Sequence, residues 1–386
     1  MKVSSQTSWP VWPNYNVKHQ DAVLQVVKAN QIFASLKVKE FEKQFASFLG
    51  AEHAVGVSNA TTGLHLALAA LGVGKGDEVI VTPYSWISSA SAILMQNAIP
   101  IFVDIENETF GLDPNELEKN ISDRTKAVIC VHMFGNPCNI KEISEICSKR
   151  EIALIEDASH AHGASHAGQA IGTFGNIAVF SLHQRKNLSV GEGGIVVSND
   201  YDLSEKVRRL RSFGDDELSY NYRMTEFAGA LGIVGLESLE NENDSRNRVA
   251  AYIGEKLQKN KFLQLVSPRN GDYGVFHAAL LKVIVEPKKG LDSMLFDFQK
   301  SGVPIKKTWR PLHLHPHFNP KVTPARGLPW QEQDYDGVMK GKSYDELFLP
   351  VTTNYVPNKL LELSIHPPTS NLEVDFFLQK LEEFTA

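Results

Sequence analysis

The sequence predicts an α/β fold: a large domain built on a mostly parallel sheet with helices on both faces, followed by a smaller C-terminal α+β domain. Two observations carry this. From about residue 50 to 200, apolar runs of four to six residues alternate with amphipathic segments of ten or more, the pattern of buried parallel strands joined by helical crossovers. Beyond that region a long helical stretch, from Met224 to about Lys259, leads into strand and helix segments that no longer alternate in this way.

The elements follow in order. Strand AVGV precedes helix TTGLHLALAALG, and EVIVT precedes SWISSASAILMQ; IPIFVD comes next, then KAVICVH with helix NIKEISEICSKR, then IALIED. Residues 79–103 carry no charge, but Pro83, Pro100 and several serines divide them into strand, helix and strand rather than a membrane span. After the long helix come strand HAALLKVIV, an amphipathic helix near 290–301, a Pro-rich and His-rich loop, and a final helix from about Leu372 to Phe384. The domain boundary is placed inside the long helix, giving residues 1–245 to the large domain and 246–386 to the small one. No internal repeat and no low-complexity tract appears.

The 386 residues are 42% hydrophobic and 22% charged, enough for two sizeable cores. A net charge of -6 without a basic run leaves no electrostatic footprint for nucleic acid or an anionic membrane. The opening MKVSSQTSWPVWPNYN lacks the basic start and apolar centre of a signal peptide, so a cytoplasmic protein is expected. Cys130, Cys138 and Cys147 stand at spacings that match no zinc pattern and are expected to be reduced, structural thiols. His313, His315 and His317 alternate in PLHLHPHF without a carboxylate or cysteine at ligand spacing, and no metal is expected.

Small-molecule chemistry remains, and in open α/β sheets it sits where strands end and helices begin. Asn59–Gly63 stands at such a place; its backbone N–H groups and helix dipole suit a phosphate, although an ordinary threonine cap reads the same way. Asp157 closes IALIED, either to start a turn or to pair with a cationic ligand group. Trp86 follows EVIVT, as a core aromatic or as a stacking surface for a flat ligand. Lys186 lies in SLHQRKNLSVGEGG, residues 181–194. Loop lysines are mostly solvated, but Gly191, Gly193 and Gly194 allow a close backbone approach that would hold this one out of bulk water, where it becomes a nucleophile. Together these features describe a pocket for pyridoxal 5'-phosphate.

Four stretches, EDASHAHGA, FSLHQRKNLSVGEGG, YNYRMTEFAGALG and RPLHLHPHF, resemble those of the DegT/DnrJ/StrS group of sugar aminotransferases, pyridoxal-phosphate enzymes with the type I fold of aspartate aminotransferase. They match in order across nearly the whole chain. The resemblance implies that Lys186 forms the internal aldimine, that Asp157 pairs with the pyridine nitrogen and that Trp86 stacks on the ring. It also implies that the Ala60 and Thr61 N–H groups and the Ser181 hydroxyl hold the phosphate, and that Asn221 reaches the phosphate of a partner subunit, giving a homodimer with shared active sites. Ala60 stands where the family usually has glycine. His160 stands where it usually has glutamine beside the cofactor's phenolic oxygen, as in some members that make aminated ring precursors.

The resemblance implies a reaction that moves an amino group from glutamate or glutamine to a keto sugar, expected to be nucleotide-linked, or to a keto cyclitol, with Lys186 carrying a proton between Cα and C4′. His313, Arg223 and Arg310 are candidate substrate contacts, and Lys306 joins the two arginines as a candidate for a pyrophosphate. Two alternatives share the fold. One is a pyridoxal-phosphate dehydratase or aminated-ring synthase; the sugar dehydratases that resemble this group carry histidine in place of the lysine, so Lys186 argues against that route. The other is a non-catalytic regulator, against which the intact set of Lys186, Asp157 and Trp86 argues.

Overall fold

In the computed structural model, which describes residues 9–33, 36–214, 217–318 and 343–385, two helices, α1 (Val17–Ala29) and α2 (Leu36–Leu49), precede the large sheet. The first eight residues, on which part of the signal-peptide reading rests, lie outside the described residues. The alternating region then unfolds as β1 (His53–Val57), α3 (Ala60–Ala70), β2 (Glu78–Val81), α4 (Ser88–Met95), β3 (Ile99–Phe102), α5 (Pro114–Asn120), β4 (Thr125–Val131), α6 (Ile140–Lys149) and β5 (Ala153–Asp157). Two short strands, β6 (Ser165–His166) and β7 (Gln169–Ala170), lead to β8 (Ile177–Ser181), β9 (Gly194–Ser198) and α7 (Tyr201–Arg211). The uncharged stretch is strand, helix and strand as expected. No described helix is long and apolar enough to cross a membrane.

The large sheet has the order β1-β9-β8-β5-β4-β2-β3. Its pairs are parallel except those that β9 makes with β1 and β8. Strand β9 therefore runs against all the others and begins where they end. Helices cover both faces, so strands such as β2, β8 and β9 are buried along their whole length and read as unbroken apolar runs.

The chain continues through α8 (Glu226–Leu257), β10 (Leu263–Leu265), β11 (Asp272–Tyr273), β12 (Ala279–Val283), α9 (Leu291–Lys300), β13 (Ile305–Lys307), α10 (Pro350–Tyr355), β14 (Leu360–Leu363) and α11 (Asn371–Thr385). Helix α8 is 32 residues long and is capped by the Thr225 hydroxyl, which accepts from Ala228 N–H. Its N-terminal part lies close against α2. A Cβ on Gly229 would stand 2.8 Å from the Lys37 carbonyl carbon, and the Glu226 carboxylate accepts from the N–H groups of Lys37 and Val38. Its C-terminal part turns Val249, Ala250, Ile253 and Leu257 into a second core, formed with the antiparallel sheet β10-β12-β14-β13 and α9.

Strand β5 ends in two acidic residues that alternation sends to opposite faces. Glu156 is fully buried and encircled by donors: Oε1 accepts from Phe174 N–H and Gly175 N–H at 2.8 Å, and Oε2 from Gly172 N–H at 2.8 Å, with His132 Nε2 at 3.3 Å. This carboxylate closes the loop between β7 and β8. Glu156→Ala leaves three backbone donors without an acceptor and is expected to lower unfolding stability by about 3–5 kcal/mol, with Glu156→Gln losing roughly half as much. Denaturant titration measures both. A loss below about 1 kcal/mol for the alanine variant would mean that water replaces the carboxylate freely.

Candidate active site

The strand ends named by the sequence meet at one edge of the sheet. Where β1 gives way to α3, Asn59 caps the helix by accepting from Thr62 N–H at 3.0 Å. The caps leave Ala60 and Thr61, at the first two helical positions, with backbone N–H groups that meet no protein acceptor among the described residues. Thr61 Oγ1 lies 2.7 Å from Ser88 Oγ at the start of α4. One residue on, Ser89 Oγ donates to Asp157 Oδ2 at 2.7 Å and pairs with Ser85 Oγ at 2.7 Å. Helix α4 thus ties the helix N-terminus to the buried carboxylate. Asp157 also accepts from Ser159 N–H at 3.2 Å, so it starts a turn as well as facing the crevice.

Lys186 is delivered by the segment between β8 and β9. Because β9 begins at this edge, Gly194 pairs with both Val57 and Ser181, and a Cβ there would stand 2.6 Å from the Asn59 carbonyl carbon and 2.7 Å from Ala60 N. Only glycine fits. Gly191 has φ of 90° and turns the chain back, with Gln184 N–H donating to its carbonyl. Burial brings the Lys186 ammonium down to about 8, against the attraction of Asp157 and Glu362; Arg185 pushes the same way as burial. By accessible surface the residue is half-buried, and the neutral groups packed around the amine are what keep water from it.

Those groups are neutral rings. His160 lies 4.3 Å from His277 at 13°, and both are held well below the usual histidine range, chiefly by burial and further by the Lys186 charge. Phe134 N–H donates to His160 Nδ1 at 3.3 Å, which leaves the proton of the neutral ring on Nε2. Trp309 stacks on Phe134 at 5.6 Å and meets Trp86 edge-on at 5.8 Å. Trp86 is 57% exposed, so it is a wall of the crevice and not a core aromatic.

The remaining predicted residues are more scattered. Ser181 is buried at the end of β8, its hydroxyl accepting from His183 N–H at 3.4 Å. Asn221 is exposed on a segment beside β1, where Ser58 N–H donates to Tyr222 C=O and Arg223 Nε donates to Asn221 Oδ1. Arg223 lies over the rings of Phe33 and Phe213. Arg310 is exposed; Lys306 is paired with Glu362 at 2.9 Å. His313 is buried against Phe102, with Nδ1 unpartnered among the described residues. His315 and His317 touch each other edge to face, with ring centroids 4.6 Å apart.

Several residues beside the site were not found from the sequence: Ser89, His277, Trp309, Trp12 and Arg246. Only the paired tryptophans of WPVWP were a visible oddity. The cysteines are free, buried thiols. Cys130 and Cys138 do gather with His132, their ligand atoms within 4.8 Å of one another. That grouping is missed by linear spacing because the loop after β4 makes it. The His132 ring is already engaged, Nδ1 by Cys138 N–H and Nε2 by Glu156.

The assembled set fits a phosphorylated pyridoxal: two unused N–H donors at a helix N-terminus, a buried carboxylate, an exposed indole and an amine of lowered basicity. Comparison with known proteins agrees. The profile of the DegT/DnrJ/EryC1/StrS aminotransferase family matches residues 13–350. GDP-perosamine synthase of Caulobacter vibrioides is 34% identical over 317 residues, covering 79% of this chain and 85% of that protein. The spore coat polysaccharide biosynthesis protein SpsC of Bacillus subtilis is 30% identical over 386 residues, covering 94% and 92%. A solved structure of S. venezuelae DesV, in complex with a ketimine intermediate, matches with a TM-score of 0.84 at 27% identity over 95% of this chain and 94% of that one. The chain belongs to the DegT/DnrJ/EryC1/StrS family and is a pyridoxal-phosphate-dependent aminotransferase.

Proposed function

We propose that this aminotransferase moves an amino group from glutamate or glutamine to a keto sugar carried on a nucleotide, or to a keto cyclitol, with Lys186 as the group that gives and takes the proton. The observation that carries the reading is the position of Lys186, an amine of lowered basicity at the sheet edge where the carboxylate and the unused N–H donors also lie. The relative named GDP-perosamine synthase supports a nucleotide-linked sugar as acceptor.

The cofactor supplies an aldehyde carbon that condenses with amines and a ring that accepts an electron pair. In our reading Asp157, oriented by the Ser89 hydroxyl, keeps a proton on the ring nitrogen. Ala60 and Thr61 N–H and the Ser181 hydroxyl would hold the phosphate, Trp86 would pack on the ring, and His160 would donate from Nε2 to the phenolic oxygen. The Lys186 amine would carry the proton, because an amine near its pKa gives and takes it with comparable ease. Arg310 and Arg223 are the cations left for a pyrophosphate, and His313 is assigned to shaping the acceptor side. We divide the chain into residues 1–245 and 246–386, a division supported by the separate core around Val249 and Ile253. We place the protein in the cytoplasm, in keeping with three unpaired thiols.

We further propose a homodimer in which Asn221 completes the partner's phosphate site. Exposed Ile32, Phe33, Leu36, Phe213 and Leu218 lie on the segments around Arg223 and Asn221 and support an apolar contact there.

Two experiments test these assignments. The protein is converted to its aminated form with glutamate or glutamine and mixed with keto sugars, nucleotide-linked keto sugars and inososes; return of the original absorption with one acceptor class identifies the substrate. Lys186→Ala is expected to lose at least about a thousandfold in this cycle, and a variant within tenfold of native would remove Lys186 from the reaction. In the second, inactive Lys186→Ala subunits are exchanged with an inactive Asn221→Trp variant. Random exchange makes half the dimers mixed, each with one native site, so about a quarter of native activity is expected. No recovery, with exchange verified, would mean that each site is built from one chain.

A further inference from the structure

We propose that Trp12 is a positioning residue for Lys186, which makes the N-terminal segment part of the active site. Lys186 belongs to a segment without helix or strand, so its backbone is held by individual hydrogen bonds. Its N–H donates to His183 C=O at 2.8 Å, and its carbonyl accepts from the Trp12 indole N–H at 2.9 Å. With both sides of the residue tethered, the direction of its Cα–Cβ bond is fixed, and the amine is aimed by the backbone rather than by a partner for its charge.

Trp12 is itself clamped. One side of its ring system stacks on His366 at 5.1 Å and 14°, and the guanidinium of Arg246 lies 4.7 Å from its centre. Arg246 is fully buried on α8; Nε meets His366 Nδ1 at 3.4 Å and Nη1 meets Asn243 Oδ1 at 3.3 Å. Asn243 Oδ1 also accepts from Asn187 Nδ2 at 3.2 Å, the residue after Lys186. The circuit closes: the Lys186 carbonyl through Trp12, and the Asn187 side chain through Asn243, end on the same arginine. A cation without a carboxylate at hydrogen-bond distance is costly to bury, and an aromatic face and neutral acceptors are what this one is given. The segment is held further by Trp9 Nε1 donating to Ser364 C=O at 3.0 Å and by Tyr15 Oη with Ser189 Oγ at 3.0 Å.

The inference rests on Lys186 as the reacting amine, and the test separates the two. Protein stripped of cofactor is treated with pyridoxal and borohydride, and the labelled peptide is identified by mass spectrometry as a function of time. Native protein is expected to label at Lys186; labelling at another lysine overturns the role of Lys186 and the positioning role with it. Trp12→Phe keeps an aromatic ring for His366 and Arg246 but removes the N–H. It is expected to slow Lys186 labelling and single-turnover amino transfer about tenfold, with the KM for the amino donor within twofold. Trp9→Phe, which loosens the same segment without touching Lys186, is expected to stay within twofold of native. Rates for Trp12→Phe within twofold of native, or an equal loss in Trp9→Phe, would overturn the proposal. Should Trp12→Phe fail to fold, benzothienylalanine at position 12, isosteric but without the N–H, makes the same comparison.

Discussion

Keeping one amine partly out of water is the constraint on which the rest of this site depends. A solvated lysine at neutral pH is almost wholly ammonium and neither condenses with an aldehyde nor accepts a proton. Here burial outweighs the attraction of Asp157 and Glu362 and brings Lys186 to about 8. The surroundings keep to that balance. His160, His162 and His277 are neutral rings held below their usual range by burial, so they add no countercharge that would stabilise the ammonium and no cation that would abolish it.

The architecture is what makes such surroundings affordable. Parallel strands buried on both faces end at a common edge, and polar groups placed there are shielded by the sheet on one side while remaining open on the other. The antiparallel β9 brings Gly194 back to that edge, against the first turn of α3, and the segment leading into it carries Lys186 within electrostatic reach of Asp157. At the end of β5 the strand alternation divides two adjacent carboxylates. Glu156 is consumed by the loop that closes over it, and Asp157 keeps one oxygen on the Ser89 hydroxyl, aimed at the site.

Much of this was legible in the sequence because it is local. Apolar runs of β2, β4, β5 and β8 and the 32 residues of α8 follow from composition and period, and Asp157 and Lys186 stand out at strand ends. What was not legible depends on long-range placement. The direction of β9 is set by the turn at Gly191, not by the residues of the strand itself. Trp12 and Lys186 are 174 residues apart, and nothing local in either marks the pair. Trp86 reads as a core aromatic or as a stacking surface, and only its long-range placement leaves it 57% exposed. Cys130, His132 and Cys138 converge only because the loop after β4 doubles back.

The central claim is that burial keeps Lys186 ready to react near neutral pH, and the pH dependence of its labelling measures this directly. A lysine whose pKa is lowered loses its proton at lower pH, so its rate of trapping by pyridoxal and borohydride in the cofactor-stripped protein rises with pH and levels off earlier than that of an ordinary lysine. The account predicts a midpoint at about 8 for the peptide containing Lys186, while exposed lysines followed in the same digest rise with midpoints of about 10. A Lys186 midpoint that coincides with those of the exposed lysines would contradict it.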